Sequence, residues 1–543
     1  MPKTYMITTP IYHVNAAPHL GTAYSTTAAD TLARFERMDG RDVFFLTGLD
    51  EHGQKVAESA EEHGMTPQAW VDSLAPEFKK TWKLLDISND DFIRTTDERH
   101  VKGVQKLLQL LHDKGYLYKA AYEGWYCVHE ETYYTESEVV EIDGEKCCPE
   151  CKRPLRYDAA GEENWFFKLS EFGDKLLAYY DEHPEFVCPE TRRNEVVSFV
   201  KSGLKDLSVS RTTFDWGIPL PFDEGHVTYV WFDALINYLT AIGYGGDEEA
   251  EANFAHYWPA QVHFVGKDII RFHCVIWPAM LMAAGLPLPE KVFAHGFLLT
   301  KGEKMSKSTG NAVAPADLVK VFGVDAYRYY FMTDVQIGAD GSISMERMVQ
   351  VYNADLANSW GNLVSRVFNM CGKYFDGKVP AFPASQESAE NPLKDIADGL
   401  YARYADAMNA IDYTGAIAAV NELCARANLY VEESAPWNLA KAAEGDAAKL
   451  EATGLASAEE AADKLAAVIY NALEACRVMA LLYAPLMPNT SAEVFRRLSL
   501  GDANAVTNLA ETTRWGGLPA GNAVEKGDPL FPRLDVDAIN LGE

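Results

Sequence analysis

Thr4-Tyr5-Met6-Ile7-Thr8, then Leu20-Gly21-Thr22-Ala23-Tyr24, then Val43-Phe44-Phe45-Leu46 follow one another near the start of the chain, and their spacing decides the fold. The first reads as a short strand that ends at Pro10. The second opens a helix from about Leu20 to Met38, with Tyr24, Ala28, Leu32 and Phe35 on one face and a stop at Gly40. Val43–Leu46 is a continuous apolar run, the pattern of a strand buried on both faces of a parallel sheet. Strand, helix and strand together are the opening of a doubly wound nucleotide-binding fold. Working outward, His100–Lys114 predicts a helix on Val101, Val104, Leu107, Leu108 and Leu111, stopped by Gly115. Between about 117 and 220 aromatic, Gly-rich and Cys-containing stretches replace the alternation, as an inserted domain does. The sheet is expected to resume near Val230 and at Val262–Val265. After about 345 the chain turns helical, with Val349, Tyr352, Leu356, Leu363, Val367 and Met370 in phase. The acid- and Ala-rich tracts at 384–396 and 442–463 read as solvated loops or helix surfaces. The aperiodic residues 516–543 are expected to lie over the surface.

The chain has 543 residues, 48% hydrophobic and 24% charged, which suits several packed domains of a globular protein. Met1–Tyr5 lacks the basic and apolar stretches of a signal peptide, and no run of about 18 apolar residues predicts a membrane span. Nine cysteines are an odd number, three of them at 147, 148 and 151. That is no disulfide framework, and it points to a reducing cytoplasm with one metal site. The formal net charge of −30 excludes gripping nucleic acid by bulk electrostatics. A nucleic-acid partner must be held by local contacts.

Two motifs carry chemistry. His19-Leu20-Gly21-Thr22 sits between the first strand and its helix, where free N–H groups bind anions and glycine lets a phosphate or an adenine approach the backbone. Lys304-Met305-Ser306-Lys307-Ser308 places two lysines three apart in a Gly-flanked loop, able to balance charge on a departing pyrophosphate. Each alone has a bland reading, a helix start and a solvated basic turn. In this order within one nucleotide fold they are the paired marks of class I aminoacyl-tRNA synthetases.

With Thr9-Pro10-Ile11-Tyr12, Thr47-Gly48-Leu49-Asp50-Glu51-His52-Gly53, Tyr229-Val230-Trp231-Phe232-Asp233-Ala234-Leu235, Val265-Gly266-Lys267-Asp268 and Phe272-His273, the chain resembles the bacterial-type methionyl-tRNA synthetases from about Thr4 to Leu500. The resemblance implies a Rossmann-type α/β catalytic domain in two halves, 1–116 and 221–288, split by a connective domain at 117–220. A KMSKS region at 289–345, an all-α anticodon-binding bundle at 346–515 and a tail at 516–543 complete the expected organisation. It implies methionyl-adenylate formation from methionine and ATP with Mg2+, then transfer to tRNA(Met), initiator tRNA included. A cytoplasmic monomer without a membrane partner is the expectation.

By the same resemblance His19, Gly21, Thr22, Lys304 and Lys307 are the catalytic positions, with Gly266 and Asp268 toward adenine and ribose. Asp50 takes the substrate ammonium. A thioether prefers an apolar, aromatic pocket. Trp231, Ala234 and Tyr238 fall at i, i+3 and i+7, one helix face, and Ile11 and His273 join them by resemblance. Asn362, Arg366 and Trp437 match the positions that read the CAU anticodon, by stacking and by hydrogen bonds to base edges. Thr22 stands where the family usually has histidine. A hydroxyl carries no charge there, a loss worth roughly 1–3 kcal/mol, or about ten- to a hundredfold in rate.

Cys148-Pro149-Glu150-Cys151 has zinc half-site spacing. The family's partner half begins at Cys127, but here Glu130 holds the place of its second ligand. Cys127, Cys148 and Cys151 with Glu130 or His129 can complete a structural Zn2+ site, the alternative being a knuckle that has lost its metal. Rival functional readings are a class I synthetase for another amino acid, and a non-catalytic tRNA-binding relative. About 100 residues of insertion are few for the editing domain of the leucine, isoleucine and valine enzymes. The intact Asp50 and Lys304 loop speak against a non-catalytic relative.

Overall fold

The computed structural model describes residues 3–127, 132–134, 136, 138–149, 151–300, 303–304 and 314–535. Its centre is a six-stranded parallel sheet. β1 (Thr4–His13) pairs with β2 (Asp42–Asp50), β2 with β3 (Asp91–Arg94), and on the other side β1 pairs with Val262–Gly266, then Val292–His295, then Val187–Cys188. The carboxyl ends of all these strands therefore share one edge, where open parallel sheets bind ligands. α1 (Leu20–Met38) follows β1 over the predicted range.

β1 does not end at Pro10. It runs to His13, but its register against β2 shifts between Thr8 and Ile11. Proline has no N–H to give the ladder, so the pairing breaks at Pro10 and resumes at Ile11↔Gly48. Nor does the sheet resume near Val230. Asp223–Thr228 pairs antiparallel with Ser210–Arg211 and Pro219–Leu220 in a separate small sheet, and Val230 opens a helix; the parallel sheet returns at Val262. The span 117–220 holds an antiparallel sheet led by Leu117–Cys127 and Arg156–Phe167, yet it also sends Val187–Cys188 back as the edge strand of the main sheet.

The helical half is built on Ala458–Tyr483, a helix long and apolar enough to cross a membrane but almost wholly buried as the core of the bundle. The helix after Val349 is continuous from Met345 to Tyr374, but its middle, Tyr352–Gly361, has π geometry. The residues after 515 do more than lie over the surface. Glu474 accepts from the Gly516 and Gly517 N–H groups at 2.7 and 2.9 Å, Leu518, Val524 and Phe531 are buried, and Tyr352 Oη donates to Pro532 O at 2.9 Å.

α1 is buried on nearly every side because the helical half packs on the face the sheet leaves free. Tyr413 Oη donates to Ala28 O at 2.6 Å and Phe35 meets Tyr404. Beneath them lies a fully buried ion pair, Asp30–Arg328, at 2.6 Å. Arg328 spends its other donors on Leu85 O, Pro485 O and Leu486 O. Asp30 accepts in addition from Arg34 and from the Ser88 N–H and hydroxyl. Burial pushes the Asp30 carboxyl up, but Arg34, Arg328 and Ser88 outweigh it and bring its pKa down to about 2. One buried carboxylate thus joins α1, the loop before β3 and, through Arg328, the turn after the core helix.

Candidate active site

At the carboxyl edge a narrow cleft is lined by Pro10, Ile11, Asp50, Trp231, Ala234, Leu235, Asn237, Tyr238 and His273. Five elements, drawn from the start of the chain and from its 230–276 region, supply it. Ile11 and His13 come from the extra length of β1, registered on Gly48 and Asp50 of β2. Gly48 has to lack a side chain, since a Cβ there would lie 2.2 Å from Ile93 O of β3. Trp231 and Ala234 stand on the helix Val230–Ala234 and Tyr238 on the separate short helix Asn237–Thr240. The predicted single helix face is thus broken at Leu235-Ile236, yet all three residues reach one cleft.

The cleft is apolar and aromatic with few polar groups. Trp231 stacks on Phe272 at 3.9 Å and 12° and meets His13 edge-on at 5.9 Å. His273 Nδ1 donates to Ile269 O at 3.1 Å, so in the neutral ring Nε2 is a lone pair and accepts from Tyr238 Oη at 2.7 Å. Burial pushes the His273 pKa down to about 4, against the opposing pull of that carbonyl. The wall is therefore uncharged at neutral pH. The one acidic side chain lining it is Asp50, 2% exposed, with His13 Nδ1 3.1 Å from its Oδ2. An apolar slot ending in a carboxylate suits a zwitterionic amino acid with a soft, uncharged side chain.

Beside the cleft α1 begins. His19 is its N-cap, with Nδ1 accepting from the Thr22 N–H at 3.2 Å. Nε2 then carries the proton of the neutral ring and donates to Thr22 Oγ1 at 3.2 Å. Gly21 leaves room for this ring, since a Cβ would meet it at 3.1 Å. Across the same edge a Cβ on Gly266 would sit 2.5 Å from Asp268 Oδ1, so glycine is what lets that carboxylate fold back over the strand end. His295 ties the two sides, accepting from Ser25 of α1 at 2.6 Å and donating to Gly296 O. The Lys304 backbone forms a short strand with Leu298–Thr300; its side chain, and Lys307 altogether, lie outside the described residues.

Comparison with known proteins speaks to the same chemistry. The family described as class I tRNA synthetases (M) matches residues 5–162 and 156–368, and the anticodon-binding domain of methionyl-tRNA ligase matches 379–540. A methionine–tRNA ligase of Streptomyces coelicolor is 49% identical over 98% of this chain and 97% of its own length. This chain belongs to the methionyl-tRNA synthetase family. Another member, from Caldanaerobacter subterraneus, is 48% identical over 99% of this chain and 80% of its own. The Mycobacterium tuberculosis methionyl-tRNA synthetase in complex with methionyl-adenylate superposes with a TM-score of 0.91 at 41% identity, covering 98% of this chain and all of the other. Its apo form gives 0.83 at 38% identity.

Two further groups of expected site residues lie away from the cleft lining. Cys127, Cys148 and Cys151 bring their sulfurs within 4.8 Å of one another, Cys127 and Cys151 at 3.6 Å. Thiolates at about 2.3 Å from a tetrahedral zinc lie about 3.8 Å apart, so the three fit that ion. The hairpin Val140–Cys147 delivers Cys148, turning through Asp143 and Gly144 at φ 50° and 85°, the tight turn that Asp-Gly favours. Glu130 and His129 lie outside the described residues. On the helical half Asn362 stands where the continuous helix returns from π to α geometry, and Arg366, four residues on, pairs with Glu432 at 2.7 Å. Glu432 ends one helix and Trp437 begins the next, 39% exposed, across a turn at Ala435 with φ 41°. Arg366 and Trp437 thus flank one turn.

Several residues without an expected role of their own are also built into the site: Pro10, Leu235, Asn237, Phe272 and His295, with Ser25. Phe272 had a signal, since it precedes His273 in the family stretch. Arg211 had none. It is buried with its guanidinium 4.6 Å from the Tyr229 ring, directly before the Trp231 helix.

Proposed function

We propose the following division of labour for the methionine–tRNA ligase reaction in this chain. Asp50 receives the methionine ammonium, with His13 as its neighbour. The thioether enters the slot between Ile11, Trp231, Ala234 and Tyr238, and His273 closes its end as a neutral imidazole. The methionine carboxylate then faces the start of α1. Its oxygen attacks the α-phosphorus of ATP, an O–P bond forms, and the bond to pyrophosphate breaks. His19 and the N–H groups beside Gly21 stabilise the phosphoryl oxygens, Gly266 and Asp268 hold adenosine, and Lys304 with Lys307 balances the departing charge together with Mg2+. A hydroxyl of the terminal tRNA adenosine next attacks the acyl carbon and AMP leaves. Asn362, Arg366 and Trp437 select tRNA(Met), initiator tRNA included, by its anticodon. A zinc ion on Cys127, Cys148 and Cys151 would be structural, joining the end of the strand Leu117–Cys127 to the turn after the hairpin Val140–Cys147. A monomer in the cytoplasm is the arrangement we expect.

The observation that carries this reading is the closure of Asp50, Trp231, Tyr238 and neutral His273 around one cleft beside the N-terminus of α1. ATP–pyrophosphate exchange with each of the twenty amino acids tests it. Exchange with methionine alone is expected. Exchange with another amino acid would retain the class and overturn the pocket, and none at all would revive a non-catalytic relative.

A further inference from the structure

Asp233 lies between Trp231 and Ala234 in sequence but lines no part of the cleft. It is fully buried, and both its oxygens are taken by imidazoles from other elements. His52 Nδ1 donates to Oδ2 at 2.7 Å and His100 Nε2 to Oδ1 at 2.6 Å. His100 is fully buried too, and its Nδ1 lies 2.8 Å from Thr240 Oγ1. Burial alone would raise the Asp233 pKa, but His52 and His100 hold it below the usual carboxylate value, so the group is ionised and only accepts. Its two partners must therefore carry protons on those nitrogens.

The ends of this chain of hydrogen bonds are informative. His52 is two residues past Asp50, and Thr240 two past Tyr238. His52–Asp233–His100–Thr240 thus spans the end of β2, the helix Glu98–Asp113 and both short helices of the cleft wall. The other atoms of the 50–53 loop are gripped as well. Glu51 N–H donates to Thr95 Oγ1 at 2.9 Å, and the Glu51 carboxylate takes Arg94 Nε at 2.6 Å. Trp216 Nε1 donates to Glu51 O at 2.6 Å while the Gly53 N–H donates to Trp216 O at 3.2 Å. Packing alone would be served as well by apolar side chains, and burying a carboxylate carries a desolvation cost. A fixed geometry is what the charged arrangement supplies.

We infer that Asp233, acting through His52 and His100, is a positioning residue for methionine recognition, holding the Asp50 carboxylate in register with the Trp231–Ala234–Tyr238 wall. The inference rests on the pocket assignment proposed above.

The test is ATP–pyrophosphate exchange on the full chain with methionine and ATP varied separately. His52→Ala removes the donor from Asp233, and His52→Asn returns an N–H close to the position of Nδ1. The methionine KM of His52→Ala should rise about tenfold or more while the ATP KM stays within about twofold. His52→Asn should recover most of the loss, and Asp233→Asn should fall between. A methionine KM within about twofold of the parent in His52→Ala, or equal rises in both KM values, would overturn the inference. If Asp233→Asn does not fold, the two His52 variants still decide. Asp50→Asn separates the two layers of the argument: an unaltered methionine KM there sinks the pocket assignment, whereas a raised one with a silent His52→Ala sinks only the role of Asp233.

Discussion

Tyr238→Phe removes one oxygen from the cleft, and its effect follows from the hydrogen-bond directions. His273 Nδ1 is committed to Ile269 O, so Nε2 is left as a buried acceptor whose protein donor is Tyr238 Oη at 2.7 Å. Deleting that donor costs about 1–3 kcal/mol for the stranded lone pair. If the imidazole must hold its orientation for the thioether, the loss appears as a fall of about five- to a hundredfold in kcat/KM for methionine, with the ATP KM unmoved. The titration moves as well. Burial places the His273 pKa at about 4, below an unfolded value near 6.5, so the unfolded chain binds the extra proton between those pH values. Stability is therefore complete above about pH 6.5 and declines as pH falls toward 4, by about 3 kcal/mol in all. A donor to Nε2 favours the neutral ring, so Tyr238→Phe should shift the His273 pKa upward. Exchange kinetics and imidazole NMR on parent and variant read both effects. A kcat/KM within twofold of the parent, or a parental His273 that titrates near 6.5, would refute the reasoning.

Asp30→Asn removes the counter-charge of buried Arg328 and should destabilise the chain by about 3–5 kcal/mol in denaturant unfolding; a loss below about 1 kcal/mol would contradict the ion-pair account. In the parent, the depressed Asp30 pKa contributes about 2 kcal/mol above pH 4 that disappears as pH falls through about 2. Trp437→Ala should lower aminoacylation of tRNA by about ten- to a hundredfold through lost base stacking while exchange is unchanged, and an equal fall in exchange would show a structural role instead. Thr22→His is expected to speed adenylate formation about tenfold or more, and an unaltered rate would mean that the position is not limiting. Elemental analysis should find one zinc per chain, lost with thermal stability in Cys148→Ser; a metal-free parent of equal stability would argue for a degenerate knuckle.

The α/β opening was legible because local rules and tertiary demand agree there. α1 keeps an apolar stripe at helical spacing and stops at Gly40, whose φ of 90° suits glycine. β2 is apolar on both faces because both faces are covered. Pro10 shows where local rules stop: proline disfavours ladder pairing, but the pull of Ile11 and His13 into register with Gly48 and Asp50 carries the strand past it. Val230 is a second case, since a short apolar run serves a buried helix as well as a buried strand.

What the sequence by itself determined is chemical: a carboxylate after a buried strand, an aromatic set at helical spacing, a His-Gly helix start, and two lysines in a Gly-flanked loop. The family stretches marked those residues individually. Only the tertiary structure decided their mutual arrangement. Periodicity reports which face of an element is buried, not which distant side chain it meets, so Asp233 between His52 and His100, 181 and 133 residues away, was invisible until the helices packed. The same holds for neutral His273 and for the Asp30–Arg328 pair. Protonation and charge burial depend on which groups share a dry interior, and that is settled by packing across the whole chain.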